Sequence, residues 1–181
     1  VNNNIAQQSD VFSKFSLMQD EIFFLYSFFQ ETIKNKRKIL IFGNGGSAAD
    51  SQHFAAELIV KFEKIRKPIS AIALTTDTSI LTATSNDFSF DDIFSRQILA
   101  LGEENDLAIG ISTSGESINV LKGLKEAHGL QLKTVLLTGD KKINHNYIDH
   151  VFNAPSNTTS RIQECHLFLY HILCSLIDEE N

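Results

Sequence analysis

Short apolar runs alternate with longer amphipathic stretches along most of this chain. Ile39 to Phe42, Ser70 to Thr75, Asp106 to Ser112, Lys133 to Thr138 and His150 to Asn153 read as five strands. The first is apolar throughout, as expected of a parallel strand covered on both faces. Between them lie helical patterns: one behind Gly43, a short one capped at Asp77-Thr78-Ser79 and ending near Ala83, and one from Asp91 to Leu101. Two more run from Ser117 through His128 and from Arg161 to Asp178. Ser85-Asn86-Asp87 reads as a polar loop. Strands alternating with helices predict βαβ units and a parallel sheet between two helical layers, a three-layer α/β/α fold. A flavodoxin-like order of 2-1-3-4-5 would put the switch point between the first and third strands.

Before the first strand, residues from about 5 to 36 read as one long helix. Val11, Phe15, Met18, Ile22, Leu25 and Phe29 recur at spacings of four and three, a single apolar stripe. Between Ile22 and Phe29, however, only Tyr26 and Ser27 carry polar atoms. A helix apolar nearly all round must be covered on more than one side. One small domain offers one side, so a second copy of the chain is the expected second cover.

Composition narrows the picture. A chain of 181 residues suits one domain, residues 1–181, with the α/β core from about 37 onward. No stretch approaches the roughly 18 consecutive apolar residues of a membrane helix. The start Val-Asn-Asn-Asn lacks a basic and apolar leader, so a cytoplasmic protein is expected. A net charge of −6, with no basic cluster beyond Lys34 to Lys38, argues against nucleic acid as partner. Cys165 and Cys174 fall in one helix, roughly 13 to 14 Å apart and beyond disulfide reach, in keeping with a reducing compartment.

Candidate chemistry converges on the switch point. Gly43-Asn44-Gly45-Gly46 leaves the first strand in a turn suited to positive φ, with Ser47 a natural N-cap for the alanine-rich helix behind it. That geometry turns free backbone N–H groups toward an anion. Neither a Rossmann nor a Walker glycine spacing is present. Ser112-Thr113-Ser114-Gly115-Glu116-Ser117 leaves the third strand and offers four hydroxyls at another helix start, a set suited to phosphate; capping without a ligand is the plainer alternative. His53 and Glu57 stand four residues apart on one helix face. Gln163, His166 and His171 are the polar exceptions in an otherwise apolar last helix, where a histidine must be hydrogen-bonded, metal-bound or cavity-lining.

GNGGS followed by HFAAE, NDF at 86 to 88, ISTSGES at 111 to 117, LTG at 137 to 139 and RIQE at 161 to 164 resemble the sugar-isomerase (SIS) domain. Within it they most resemble the bacterial phosphoheptose isomerases, and the match runs the length of the chain. The resemblance implies a homotetramer that interconverts sedoheptulose 7-phosphate and D-glycero-D-manno-heptose 7-phosphate, a first step toward the heptose of lipopolysaccharide or capsule. By motif position it implies substrate contacts from Asn44, Gly45, Gly46, Glu57, Asn86, Asp87, Ser112, Thr113, Ser114, Ser117 and Gln163. It also implies a zinc site of His53, Glu57, Gln163 and His171, with Glu57 and His171 as the catalytic pair. Two residues depart from the pattern of some relatives: Lys61 stands in place of an arginine, and Ser160 in place of an aspartate.

A sister group of similar sequence contains a non-enzymatic adaptor that binds the bacterial replication initiator. It lacks the acidic residue matching Glu57 and the histidine matching His171, and this chain has both. Arabinose 5-phosphate isomerases and SIS-type regulators carry additional domains that 181 residues cannot hold.

Overall fold

The computed structural model describes residues 1–180. Five parallel strands form one sheet in the order β2-β1-β3-β4-β5. They are β1 (Ile39–Gly43), β2 (Ala71–Ala73), β3 (Leu107–Ile111), β4 (Lys133–Thr138) and β5 (His150–Asn153). Seven α-helices surround them among the described residues: α1 (Asn2–Phe15), α2 (Gln19–Lys34), α3 (Gly46–Ile59), α4 (Thr78–Asp87), α5 (Ser95–Leu101), α6 (Ile118–Gly129) and α7 (Thr159–Glu180). Register is in phase across the centre, with Ile39 beside Leu107 and Leu107 beside Lys133.

Side chains alternate across the sheet, as the pleat requires. Ile39, Ile41, Leu107, Ile109, Ile111, Val135 and Leu137 pack with Phe15, Leu25, Phe29, Phe54, Leu58 and Tyr170 under α1, α2, α3 and α7. Leu40, Phe42, Ala108 and Leu136 face the other way, against Phe94 and against Ile98, Val120 and Leu124 of α5 and α6. Both faces are covered, which accounts for β1 and β3 being apolar at every position. No helix among the described residues is long and apolar enough to cross a membrane.

Four boundaries differ from the sequence expectation. The long N-terminal helix is two helices, α1 and α2, broken at Ser16–Met18. The hydroxyls of Ser9, Ser13 and Ser16 donate back to carbonyls three or four residues earlier, Leu17 is 85% exposed, and Asp20 and Glu21 supply the acidic first turn of a new helix. The apolar stripe survives the break, because Val11, Phe15, Ile22, Leu25 and Phe29 are all buried. Ser47 is not the cap of α3. Gly45 is, at φ 57°, and Ser47 lies inside the first turn, donating its N–H to the Asn44 carbonyl.

Residues 85–87 are not a loop but the last turn of α4. The Asp77 carboxylate accepts from the Ile80 N–H at the start, and the Thr82 and Ser85 hydroxyls donate to helix carbonyls, so nothing stops the helix before Phe88. The helix expected from Asp91 is a short 3₁₀ turn, Phe90–Asp92, followed by α5.

Candidate active site

The site is built at the carboxyl ends of β1 and β3, adjacent central strands, as the expected switch point requires. Gly43 is compelled by packing: a Cβ there would meet the Ile111 carbonyl oxygen at 2.7 Å and the Ser47 Cβ at 2.8 Å. The close approach of β3 and α3 to that point draws the two loops together. Asn44 then pairs with Asn119 in the first turn of α6. Each amide donates to the other's carbonyl at 2.8 Å, and Asn119 Oδ1 also accepts from the Val120 N–H at 2.9 Å. Beside this pair opens a cleft of about 170 Å³, lined by Asn44, Gly45, Ala48, Thr75, Leu81 and Phe90 among others.

The hydroxyl loop is internally bonded. Ser112 donates to the Ser117 hydroxyl at 2.9 Å, Ser114 Oγ accepts from the Glu116 N–H at 3.1 Å, and Gly115 turns the chain at φ 69°. Ser112 is buried, whereas Thr113, Ser114 and Ser117 are partly open to solvent. Ser117 occupies the N-cap position of α6, yet its side chain caps nothing there. Thr113, Ser114 and Ser117 thus stand just before the α6 N-terminus, a setting suited to an anion.

Below the loops, α3 and α7 lie side by side and run in the same direction. Gly46 abuts Gln163, where a Cβ would collide with the Gln163 amide, and two turns on Phe54 stacks on Tyr170 with ring centroids 5.1 Å apart. His53 Nε2 lies 3.1 Å from Glu57 Oε1, and His53 Nδ1 lies 2.9 Å from the Tyr170 hydroxyl. The His53 and His171 rings stand 5.3 Å apart, nearly perpendicular. His171 also packs against Phe62 at 5.4 Å. Burial, and next the neighbouring His53, hold the His171 imidazole below its ordinary value, with Glu57 pulling the other way. A neutral His171 ring can give a proton at one nitrogen and take one at the other.

Residues 5–139 match the SIS domain family. The chain belongs to that family. It is 55% identical over 148 residues, 81% of this chain and 78% of the relative, to a phosphoheptose isomerase of Aquifex aeolicus. A phosphoheptose isomerase of Aliarcobacter butzleri is 47% identical and spans 97% of this chain and 94% of its own. The structure of phosphoheptose isomerase from Neisseria gonorrhoeae superposes with a TM-score of 0.90 at 38% identity, covering 99% of this chain and 97% of that one. That from Francisella tularensis gives 0.92 at 33% identity, over 98% and 96%.

The SIS fold thus brings together His53, Glu57 and His171 on one level, and Asn44, Gly45, Gly46 and Gln163 two turns above. Gln163 stands roughly 12 Å up the α7 axis from His171. Among the described residues no group of three or more His, Cys, Asp or Glu is gathered round a single point. Two imidazoles and a carboxylate have the donor chemistry zinc favours, but both His53 nitrogens already have partners. Asn86 and Asp87 are exposed at the end of α4, where the Asn86 amide donates to Asp87 at 2.8 Å, and they do not line the cleft. His166 is fully buried and turned away from His171, with Nε2 3.2 Å from the Thr138 carbonyl.

Asn119, Tyr170 and Asp50 were not among the residues expected at the site. Asn119 follows the hydroxyl loop by two residues, close enough for its helix start to have drawn notice. Asp50 lies one turn before His53, half-buried with a buried Oδ2 that has no partner, and burial lifts its carboxyl to about 6, His53 opposing.

Proposed function

We propose that this chain is an aldose–ketose isomerase that interconverts sedoheptulose 7-phosphate and D-glycero-D-manno-heptose 7-phosphate. The observation that carries the reading is a half-buried carboxylate, Glu57, 3.1 Å from His53, whose ring stands 5.3 Å from that of His171. The names of its close relatives point to the same reaction.

In this reading the terminal phosphate rests on Thr113, Ser114, Ser117 and the α6 N-terminus. The sugar runs past Asn44, Gly45, Gly46 and Gln163 toward α3. Glu57 takes a proton from C1 of the ketose, leaving an enediol, and returns it to C2 of the aldose. His171 moves the second proton between the C1 and C2 oxygens, one ring nitrogen giving while the other takes. No group is lost or gained, so a base and an acid–base partner suffice. Asn86 and Asp87, exposed at the end of α4, have no assigned part in it.

We assign zinc to His53, Glu57, Gln163 and His171 as the metal these donors would hold. In that assignment His53 and Glu57 of α3 would hold the metal together with Gln163 and His171 of α7. Zinc, when bound, supplies Lewis-acid polarisation of the sugar oxygens. A metal-bound Glu57 is a weaker base, so metal and base roles compete for one carboxylate. The reading also includes a homotetramer, a cytoplasmic setting, and a product destined for lipopolysaccharide or capsular heptose.

The test is turnover of sedoheptulose 7-phosphate by the purified protein, followed by NMR, alongside Glu57→Gln and His171→Ala. Each variant should lose roughly 10² to 10⁴ in kcat. A wild-type protein inert toward heptose, hexose and pentose phosphates would overturn the enzyme reading in favour of the adaptor.

A further inference from the structure

Asn119 joins the two loops of the site, and the chemistry assigned above gives it no part. It lies in the first turn of α6, 3% exposed, just behind the hydroxyl loop. An amide buried this far is costly unless it is bonded. Asn119 bonds in two directions. It reaches across to Asn44, just after β1, by two hydrogen bonds of 2.8 Å, and its Oδ1 accepts from the Val120 N–H of its own helix at 2.9 Å.

The Val120 bond decides how both amides lie. A reciprocal amide pair standing alone bonds equally well when both side chains are turned over, oxygens and nitrogens exchanged. A backbone N–H can only donate, so the Asn119 atom facing Val120 must be the oxygen. The Asn119 nitrogen then meets the Asn44 oxygen, and the Asn44 nitrogen meets Asn119 Oδ1. The main chain of α6 thereby sets the side chain of a residue on the neighbouring loop. Asn44 gives one hydrogen and one lone pair to this pair. It is half-buried and lines the cleft, so its second N–H hydrogen is the donor left for a ligand. Gly43, the residue before it, has no room even for a Cβ, which confines the backbone there.

We propose that Asn119 is a positioning residue of the isomerase site: it fixes the Asn44 amide so that one N–H is presented to an oxygen of the bound sugar, and it ties the glycine turn to the hydroxyl loop. The role in turnover rests on the isomerase reading; the order of the two amides does not.

The experiment is a double-mutant cycle on the full chain with sedoheptulose 7-phosphate: Asn44→Ala, Asn119→Leu, Asn119→Ser, and each Asn119 change combined with Asn44→Ala. Leucine matches asparagine in size and bonds to nothing. Serine keeps a hydroxyl for the Val120 N–H but is too short to reach Asn44. Each single variant should lower kcat/KM roughly tenfold, the usual worth of a lost hydrogen bond or two. The double variants should fall no further than Asn44→Ala, because Asn119 acts through Asn44. Losses that multiply in the double variants would overturn the proposal, as would either Asn119 variant within about twofold of wild type. NMR of the ¹⁵N-labelled wild type tests the amides without turnover, the Asn44 side-chain signals being identified by their loss in Asn44→Ala. A nuclear Overhauser contact should join the Asn44 side-chain N–H to the Val120 N–H, since both donate to Asn119 Oδ1, and its absence would overturn the assigned order. A wild type inert toward sugar phosphates would end the isomerase reading and the role of Asn119 in it, while the NMR result still decides the amide pair.

Discussion

Arg66, in the segment between α3 and β2, forms a buried ion pair with Asp178 near the end of α7, Nε to Oδ1 at 2.8 Å, both side chains no more than 2% exposed. The guanidinium does more than pair. It donates to the carbonyls of Glu57 at 2.8 Å and Leu58 at 2.7 Å, two of the orphan acceptors at the end of α3. Asp178 Oδ2 accepts from the Glu63 and Lys64 N–H groups, each at 2.8 Å. Burial raises the Asp178 carboxyl, but those amides and Arg66 outweigh it and hold the group below its ordinary value. The main chain of the proposed base is thus fastened to the far end of the chain.

Removing one partner strands the other. Arg66→Met should destabilise the fold by about 3 to 5 kcal/mol, the usual cost of an uncompensated buried charge. Urea denaturation reads this directly. A loss below about 1 kcal/mol would mean that water reaches Asp178 and that the clamp is weak.

In the proposed site the hydroxyl loop divides into donors for the phosphate and donors for itself. Thr113→Val and Ser114→Ala should raise KM more than they lower kcat, each by the equivalent of roughly 1.5 to 3 kcal/mol. Ser112→Ala should act differently, because the buried Ser112 hydroxyl bonds Ser117 rather than facing solvent. Its expected signature is a lower melting temperature. Steady-state kinetics and thermal melts on the three proteins separate the roles; unchanged KM in the first two would place the phosphate elsewhere.

Two groups shifted by burial oppose one another in acid. Burial depresses His166 to about 4. Its unfolded form takes up a proton first, so the stability it supports is full above about 6.5 and is lost as pH falls toward 4. Asp50 is raised to about 6, so its folded form binds the proton more tightly. Ionising it costs stability as pH rises from about 4 to 6, and the cost is complete above that. Compared with wild type, His166→Gln should melt at relatively higher temperature toward pH 4. Asp50→Asn should gain at pH 7 and lose that advantage in acid. Parallel melting curves for all three across pH 4 to 7 would refute both assignments.

The apolar surface left by α1, α2 and α7 bears on assembly. Phe23 and Phe24 are 56% and 55% exposed, and Phe12, Phe15, Ile22, Phe168 and Ile172 line a groove of about 340 Å³. Light scattering should give a mass four times the 20.2 kDa chain. Phe23→Asp should lower that mass. A stable monomer at micromolar concentration would sink the tetramer.

The sheet was legible because β1 and β3 are apolar at every position and the glycine turn follows directly on β1. Hydrophobic period carried through residues 11–29 as well, yet it concealed the break at Ser16–Met18, because both helices turn the same stripe to the core and neither glycine nor proline marks the join. Propensity misplaced Asn86 and Asp87, whose helix is held by side chains bonding back to it. The Asn44–Asn119 pair joins residues 75 positions apart, and no local pattern can announce such a contact. Tyr170 was hidden for another reason: in an apolar helix an aromatic reads as filler, and only the nearby His53 ring gives its hydroxyl a meaning.

α3 lies in the first third of the chain and α7 at its end, and the proposed chemistry needs both. During synthesis all five strands, the glycine turn and the hydroxyl loop leave the ribosome before Thr159. A nascent chain therefore carries the glycine turn and the hydroxyl loop before it owns His171 or Tyr170, with Arg66 still lacking Asp178. The proposed site is thus completed by its last element, and a stop codon between β5 and α7 would leave the glycine turn and hydroxyl loop encoded while removing His171, Asp178 and much of the core over one face of the sheet.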